Sequence, residues 1–456
     1  MVTMRIRSPL SRMSVAAVAA VAISLVTGCD LDRRSPNAPT EEDVLATREG
    51  VLFLATGLQA RFGDGEDDFI YTGGLITDEL GATTLALPSY KDTEEGRLVS
   101  TYDAVVAPWE THYRTIRQAE EVLAATRALA ADPIVLDSAT KNGVISLALL
   151  FKAMSLGELL QSYQQILLTA AEERTPFVSR ATALTTVIAL LDSAAVQFRT
   201  LTPGATFNNS VRARGFDLRN TIFAMLARYH RLAGNDAAAL AAADSVDLSV
   251  VSSIPYTFPQ TRNPINNLST GANYVKPRDQ FRLAVDSGDL VDKRDEFFIT
   301  VAAPAGNLRP LDEFRQYANR SAPIPLYYPG EVSLIRAEAL LNLGRLPEAA
   351  TVVNAVRTKC NTVSLLDPEA CSTALPAAAL DTPGELRAEI YRQRRVELFA
   401  TGLRWEDVRR LGQVGRGLSA QRCWLLYPDS ERQTNPDVPP DPESSDAEPG
   451  PKGCGV

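Results

Sequence analysis

Apolar residues along most of this chain recur every three or four positions, the spacing that sets them on one face of an α-helix. The pattern predicts helices over Glu41 to Arg61, Pro108 to Ala131, Lys141 to Leu168, Ala181 to Leu201, Ser210 to Ala233, Asp236 to Ser245, Gly330 to Leu343, Pro347 to Lys359 and Pro383 to Leu411. One junction is especially clear. Val332, Ile335, Ala339 and Leu343 share a face, as do Leu334, Ala337 and Leu341. Gly344 can take the left-handed conformation that stops a helix. Pro347 suits the first turn of the next, where a missing N–H costs nothing. Ala349, Val353 and Val356 then repeat on the second helix. So short a loop folds the two helices into an antiparallel hairpin, and the alanines let the backbones approach closely.

A second stretch, Ala227 to Val246, aligns without a gap on Ala337 to Val356, placing Gly234 over Gly344 and Ala239 over Ala349. Both look like tetratricopeptide (TPR)-like hairpins, units that bury their apolar face by stacking on a neighbour. Three long stretches break the periodicity: Phe62 to Ala107, Asp247 to Asp292 and Thr300 to Pro329. Long loops inside a compact domain are usually functional. No low-complexity linker separates Asp43 from Leu411, so one all-α domain over residues 41–436 is expected.

The N-terminus adds a compartment. Arg5, Arg7 and Arg12 precede the apolar run Val15 to Val26, which is too short for a stable membrane span and suits a signal h-region. Gly28-Cys29 closes it and resembles a bacterial lipobox, which implies a signal peptide over residues 1–28, lipidation of Cys29 and a tether over residues 29–40. An ordinary signal peptide with a chance cysteine is the competing reading. A multi-chain acyl anchor would hold the protein to a membrane without a transmembrane helix. The remaining cysteines, Cys360, Cys371, Cys423 and Cys454, are even in number and admit three pairings in an oxidising compartment. Cys360–Cys371 and Cys423–Cys454 are favoured, the second tying down an acidic, Pro-rich tail over residues 437–456. Without a Cys-x-x-Cys pair or a nearby histidine, a zinc site is a poor alternative.

The formal charge is -9, and removing the three arginines of the leader takes it to about -12, which argues against nucleic acid as a partner. Catalytic chemistry finds little support. His112 and His230 are the only histidines, each inside a predicted helix. There is no His-Glu-x-x-His, Gly-x-Ser-x-Gly or P-loop. Neither a metal nor a cofactor is expected. A glycosidase using two carboxylates needs no local motif and stays as a remote alternative. The arginines and carboxylates between Arg394 and Arg410 read more readily as ion pairs at helical spacing than as an active site.

That same stretch, Glu389 to Gly412, reads EIYRQRRVELFATGLRWEDVRRLG and closely resembles the signature of the SusD/RagB family of outer-membrane nutrient-binding lipoproteins. Arg394, Arg395, Glu397, Gly402, Arg404, Trp405, Asp407 and Arg410 occupy its positions. Arg336-Ala337-Glu338-Ala339, the Trp109, Tyr113, Ile116 helix, Asp30-Leu31-Asp32, and Tyr427-Pro428 match other parts of the family pattern. Asn266 to Arg294 and the tail beyond Pro439 depart from it. The resemblance implies an α-superhelix containing TPR-like hairpins, with long irregular loops facing a ligand. It implies a binding protein, not an enzyme, anchored in the outer membrane and facing outward. Such a protein binds an oligosaccharide or peptide and delivers it to a SusC-like TonB-dependent transporter.

Sugar recognition needs aromatic faces and planar polar groups. The loops offer Asp78, Tyr90, Asp92, Arg97, Tyr102, Tyr274, Arg278 and Tyr317 as ligand-binding candidates. Two other functions remain open at this point: a TPR-type scaffold for envelope assembly, and a lipid-anchored hydrolase.

Overall fold

The computed structural model describes residues 40–130, 134–170, 175–279, 281, 294–303, 311–358, 375–411, 414, 420–442 and 454. Cys29, Cys360 and Cys371, and with them the leader, the lipidation site and one favoured disulfide, lie outside the described residues.

Side-chain caps start most of the long helices, because the first N–H groups of a helix lack intrahelical partners. Thr47 accepts from the Gly50 amide at the head of α1 (Arg48–Asp64). After α2 (Glu66–Ile76) and α3 (Asp103–Leu129), Asp137 caps α4 (Ser138–Ser162) and Ser179 caps α5 (Arg180–Thr200). Asp217 caps α6 (Leu218–Leu232), which α7 (Asp236–Ala243) follows. Then come α8 (Pro329–Asn342), α9 (Leu346–Arg357), α10 (Pro383–Glu397) with a Thr382/Glu385 capping box, and α11 (Arg404–Arg410).

These helices stack in an almost unbroken series. α1 packs on α3, α3 on α4, α4 on α5, α5 on α6, α7 on α8, and α10 closes over both α8 and α9. The all-α superhelix expected from the sequence is therefore the fold, with only short two-stranded pairings among the described residues. By length and composition α4 and α5 could each cross a membrane. α4 is nearly all buried, so its apolar surface is core, packed between α3 and α5.

The two hairpins end their first helices identically. Gly234 and Gly344 have φ of 73° and 76°. In the first, Asn235 N donates to His230 O and Gly234 N to Arg231 O; in the second, Arg345 N donates to Leu340 O and Gly344 N to Leu341 O. This is the Schellman arrangement, which satisfies the last carbonyls of a helix and needs a left-handed residue.

Several boundaries differ from the sequence expectation: the helix expected over Lys141 to Leu168 ends at Ser162, the one expected over Ser210 to Ala233 starts at Leu218, and the one expected over Glu41 to Arg61 is broken after Leu45. The stretch Phe62 to Ala107 is not irregular throughout: it holds α2 and a short helix, Pro88–Glu94. Gly73 and Gly74 sit near the end of α2. They are there for closeness: a Cβ on Gly73 would sit 3.1 Å from the Gly402 carbonyl, and one on Gly74 2.5 Å from Leu80. Nor is Pro383 to Leu411 one helix. Ala400 (φ 53°) and Gly402 (φ 77°) turn the chain between α10 and α11. The turn lets arginines from both helices converge on one carboxylate.

Candidate functional site

Two of the long loops meet because Leu80–Ala82 pairs antiparallel with Val275–Pro277, with Gly81 opposite Lys276, and the third joins them where Asp312 N donates to the Pro277 carbonyl at 2.9 Å. The pairing is reinforced from the side. Arg278 donates to the Leu80 carbonyl at 2.7 Å and pairs with Glu94 at 2.5 Å, whose other oxygen accepts from the Ala82 amide. Thr83 N donates to the Tyr274 carbonyl at 2.8 Å.

Tyr90, on the helix Pro88–Glu94, and Tyr274, just before the second strand, are thereby brought together with ring centroids 5.6 Å apart. Both are half-buried, and Leu85 and Leu87 beside them are exposed. Burial pushes the Tyr90 phenol up to about 12, helped by the carboxylates of Asp103, Asp67 and Asp68, so it stays a neutral donor. Amphipathic rings of this kind suit the apolar face of a sugar or peptide side chain.

The other loop candidates separate into different roles. Asp92 accepts from Arg97 at 2.5 Å and from the Tyr102 hydroxyl at 2.8 Å, a self-contained surface cluster. Arg278 is spent on holding the strands. Asp78 is not available to a ligand in this arrangement: it takes Arg404 at 2.9 and 3.0 Å and Arg395 at 3.1 Å, which keep its carboxyl low despite burial. Tyr317 is 1% exposed and packs against Phe314, so it offers no face to solvent. Sequence cannot tell an inward-facing loop tyrosine from an outward one, and for Tyr317 and Asp78 it pointed to the wrong side.

The Arg394 to Arg410 stretch forms a buried ion network. Arg394 donates to Asp407 at 2.7 Å, Arg410 pairs with Asp407 at 3.0 Å and with Glu338 on α8 at 2.6 Å, and Glu397 takes Arg294 at 2.7 Å. Trp405 donates its indole N–H to the Arg422 carbonyl at 2.7 Å. The Arg409 guanidinium lies 5.0 Å from the Trp405 ring and 4.0 Å from Trp424. Glu406 is held by Arg180 and Arg409 at 2.7 and 3.0 Å. Cys423 and Cys454 are joined by a disulfide, and Trp424 donates to the Cys454 carbonyl. The network locks α8, α10 and α11 into one body.

A groove of about 580 Å³ was not foreseen from the sequence. Its walls include Trp109, Tyr113 and Arg114 of α3, Leu167 and Ala170, and Glu431 and Asn435 of the short helix Asp429–Thr434 and its end. Trp109 donates to Glu431 at 3.3 Å and Tyr113 bonds to Leu167. Segments so far apart in sequence carry no common signal.

Residues 310–438 match the SusD family. The whole architecture agrees with this. A SusD superfamily protein from Bacteroides thetaiotaomicron superposes with a TM-score of 0.67 at 16% identity, covering 87% of this chain and 100% of the other. The fold is that of the SusD superfamily. The SusD/RagB resemblance read from Glu389 to Gly412 therefore holds, and the likeness of fold covers most of the chain. NanU of B. fragilis superposes on it with a TM-score of 0.66 at 15% identity, covering 90% of this chain and 99% of NanU. A SusD superfamily protein from Bacteroides vulgatus gives 0.66 at 16%, covering 88% and 99%. No curated protein matches this SusD-like chain in sequence.

Proposed function

We propose that this chain is a cell-envelope lipoprotein that binds an extracellular oligosaccharide or peptide and delivers it to a SusC-like TonB-dependent transporter. The observation that carries the reading is the loop platform: on a SusD-type scaffold, a strand pairing across nearly two hundred residues sets Tyr90 beside Tyr274. The carboxylates of the Arg394 to Arg410 stretch, Glu397, Glu406 and Asp407, are each paired with arginine, which speaks for ion pairing there over catalysis.

Replacing both Tyr90 and Tyr274 with alanine should weaken ligand binding by about tenfold to a hundredfold, the value of one or two stacking contacts. Titration calorimetry against the glycan or peptide that scores in an array screen measures it, and circular dichroism should show unchanged folding. Retained affinity in the double variant, together with loss on Arg114→Ala, would move the site to the Trp109 groove.

Anchoring rests on Cys29. The Cys29→Ala variant should leave the membrane fraction for the soluble one. A variant that stays membrane-bound and carries no lipid by mass spectrometry would end the lipoprotein reading. A mild-detergent pull-down of the anchored protein should bring a TonB-dependent barrel with it.

A further inference from the structure

Three guanidinium groups, from Arg231, Arg394 and Arg410, share two carboxylates, Glu338 and Asp407, where α6, α8, α10 and α11 meet. The count leaves one positive charge uncompensated. Its location can be read from individual atoms. Arg394 is 1% exposed, and only its Nε is used, on Asp407. Its Nη1 and Nη2, and Nε of Arg410 and of Arg231, have no hydrogen-bond partner among the described residues. A buried guanidinium nitrogen without an acceptor costs free energy unless something fills the place. Burial lowers Arg231 to about 10, and the neighbouring Arg394 and Arg410 add to the effect, as an excess of cation requires.

Arg394 and Arg410 line a cavity of about 130 Å³. Tyr391 and Arg387, also lining it, lie one and two turns along α10 from Arg394, so the three side chains share a face at helical spacing. Arg387 is exposed and makes no ion pair among the described residues, which places it at the mouth. Glu338 also lines the cavity, but its carboxylate is taken by Arg410 and Arg231.

We propose that this cavity binds a small oxyanion, with the two unused Nη groups of Arg394 and the Nε of Arg410 as donors and Arg387 as a gate charge. Guanidinium forks match the paired oxygens of sulfate, phosphate or carboxylate better than they match a monatomic ion. The site is separate from the Tyr90–Tyr274 platform and does not depend on the proposed transport role. Its occupant would complete the charge balance of the body formed by α8, α10 and α11.

The test is a thermal-melt titration of the whole mature chain with sodium sulfate and sodium phosphate against sodium chloride at matched ionic strength. Wild-type protein should show a saturable rise in Tm with either oxyanion. Sulfate and phosphate also stabilise proteins generally by exclusion from the surface, but that effect does not saturate and does not depend on one side chain. Arg387→Glu, at an exposed position, should keep the basal Tm and shift the half-saturating concentration upward by about tenfold, from the reversed charge at the mouth. A crystal soaked in selenate should give an anomalous peak between Arg394 and Arg410. Equal, non-saturating responses in wild type and Arg387→Glu, or a soaked crystal with only water in the cavity, would overturn the proposal.

Discussion

Asp407→Ala is expected to destabilise the protein by about 3–5 kcal/mol, the usual cost of removing one partner from a buried ion pair. Asp407 is 4% exposed and accepts from Arg394 and Arg410. Without it Arg394 stays buried with no carboxylate on its Nε, and Glu338 is left alone to face three guanidinium groups. Those arginines also hold the Asp407 carboxyl far below its usual range against the pull of burial, so it is ionised at any pH where the protein is folded. The loss should therefore appear at pH 5 as fully as at pH 8. Equilibrium urea unfolding measures it. Asp407→Asn keeps an acceptor and removes the charge, so it separates the two contributions. A midpoint unchanged in both variants would mean that the network does not hold α8, α10 and α11 together.

Glu79→Gln should do the opposite, and only at high pH. Glu79 is 2% exposed, and burial raises its carboxyl from 4.5 to about 8, with Arg404 opposing and Asp78 assisting. A carboxyl raised by folding contributes its full stability below its unfolded pKa, and that contribution is lost as the pH rises toward the folded value. The window is therefore about pH 4.5 to 8, and the shift is worth about 3–5 kcal/mol. Glutamine mimics the protonated acid. Wild type and Glu79→Gln should melt together near pH 5, and the variant should melt higher at pH 8.5. His112 works in the other direction. Burial lowers it to about 4, so its contribution is present above 6.5 and lost as the pH falls. Parallel melting curves for wild type and Glu79→Gln across the range would show that Glu79 is ionised in the folded protein at all pH values tested.

Much of the scaffold was legible because helices advertise themselves through local periodicity. The hairpins at Gly234 and Gly344 and the family signature are each read within about thirty residues of sequence. What failed to show was long-range. α2 went unread within the stretch Phe62 to Ala107, and the reason for its two glycines, the approach of Leu80 and Gly402, lies outside the helix. The break between α10 and α11 was hidden because Ala400 in a left-handed conformation has no sequence signal. The loop candidates came from the long stretches that break the helical periodicity. Which faced outward depended on the pairing of Leu80–Ala82 with Val275–Pro277, a contact no local pattern encodes. Tyr90 and Tyr274 were brought together by it, Arg278 was consumed by it, and Asp78 was claimed by arginines from α10 and α11.

The two hairpin glycines carry a consequence for how such repeats drift. Nothing lies within 4 Å of where a Cβ would stand on Gly234 or Gly344. Glycine is there for handedness, not for room. Asparagine, which tolerates the left-handed conformation, would serve at either place at small cost. A lineage can therefore lose the glycine and keep the hairpin, and a repeat unit can persist in shape long after the letter that marks it has gone.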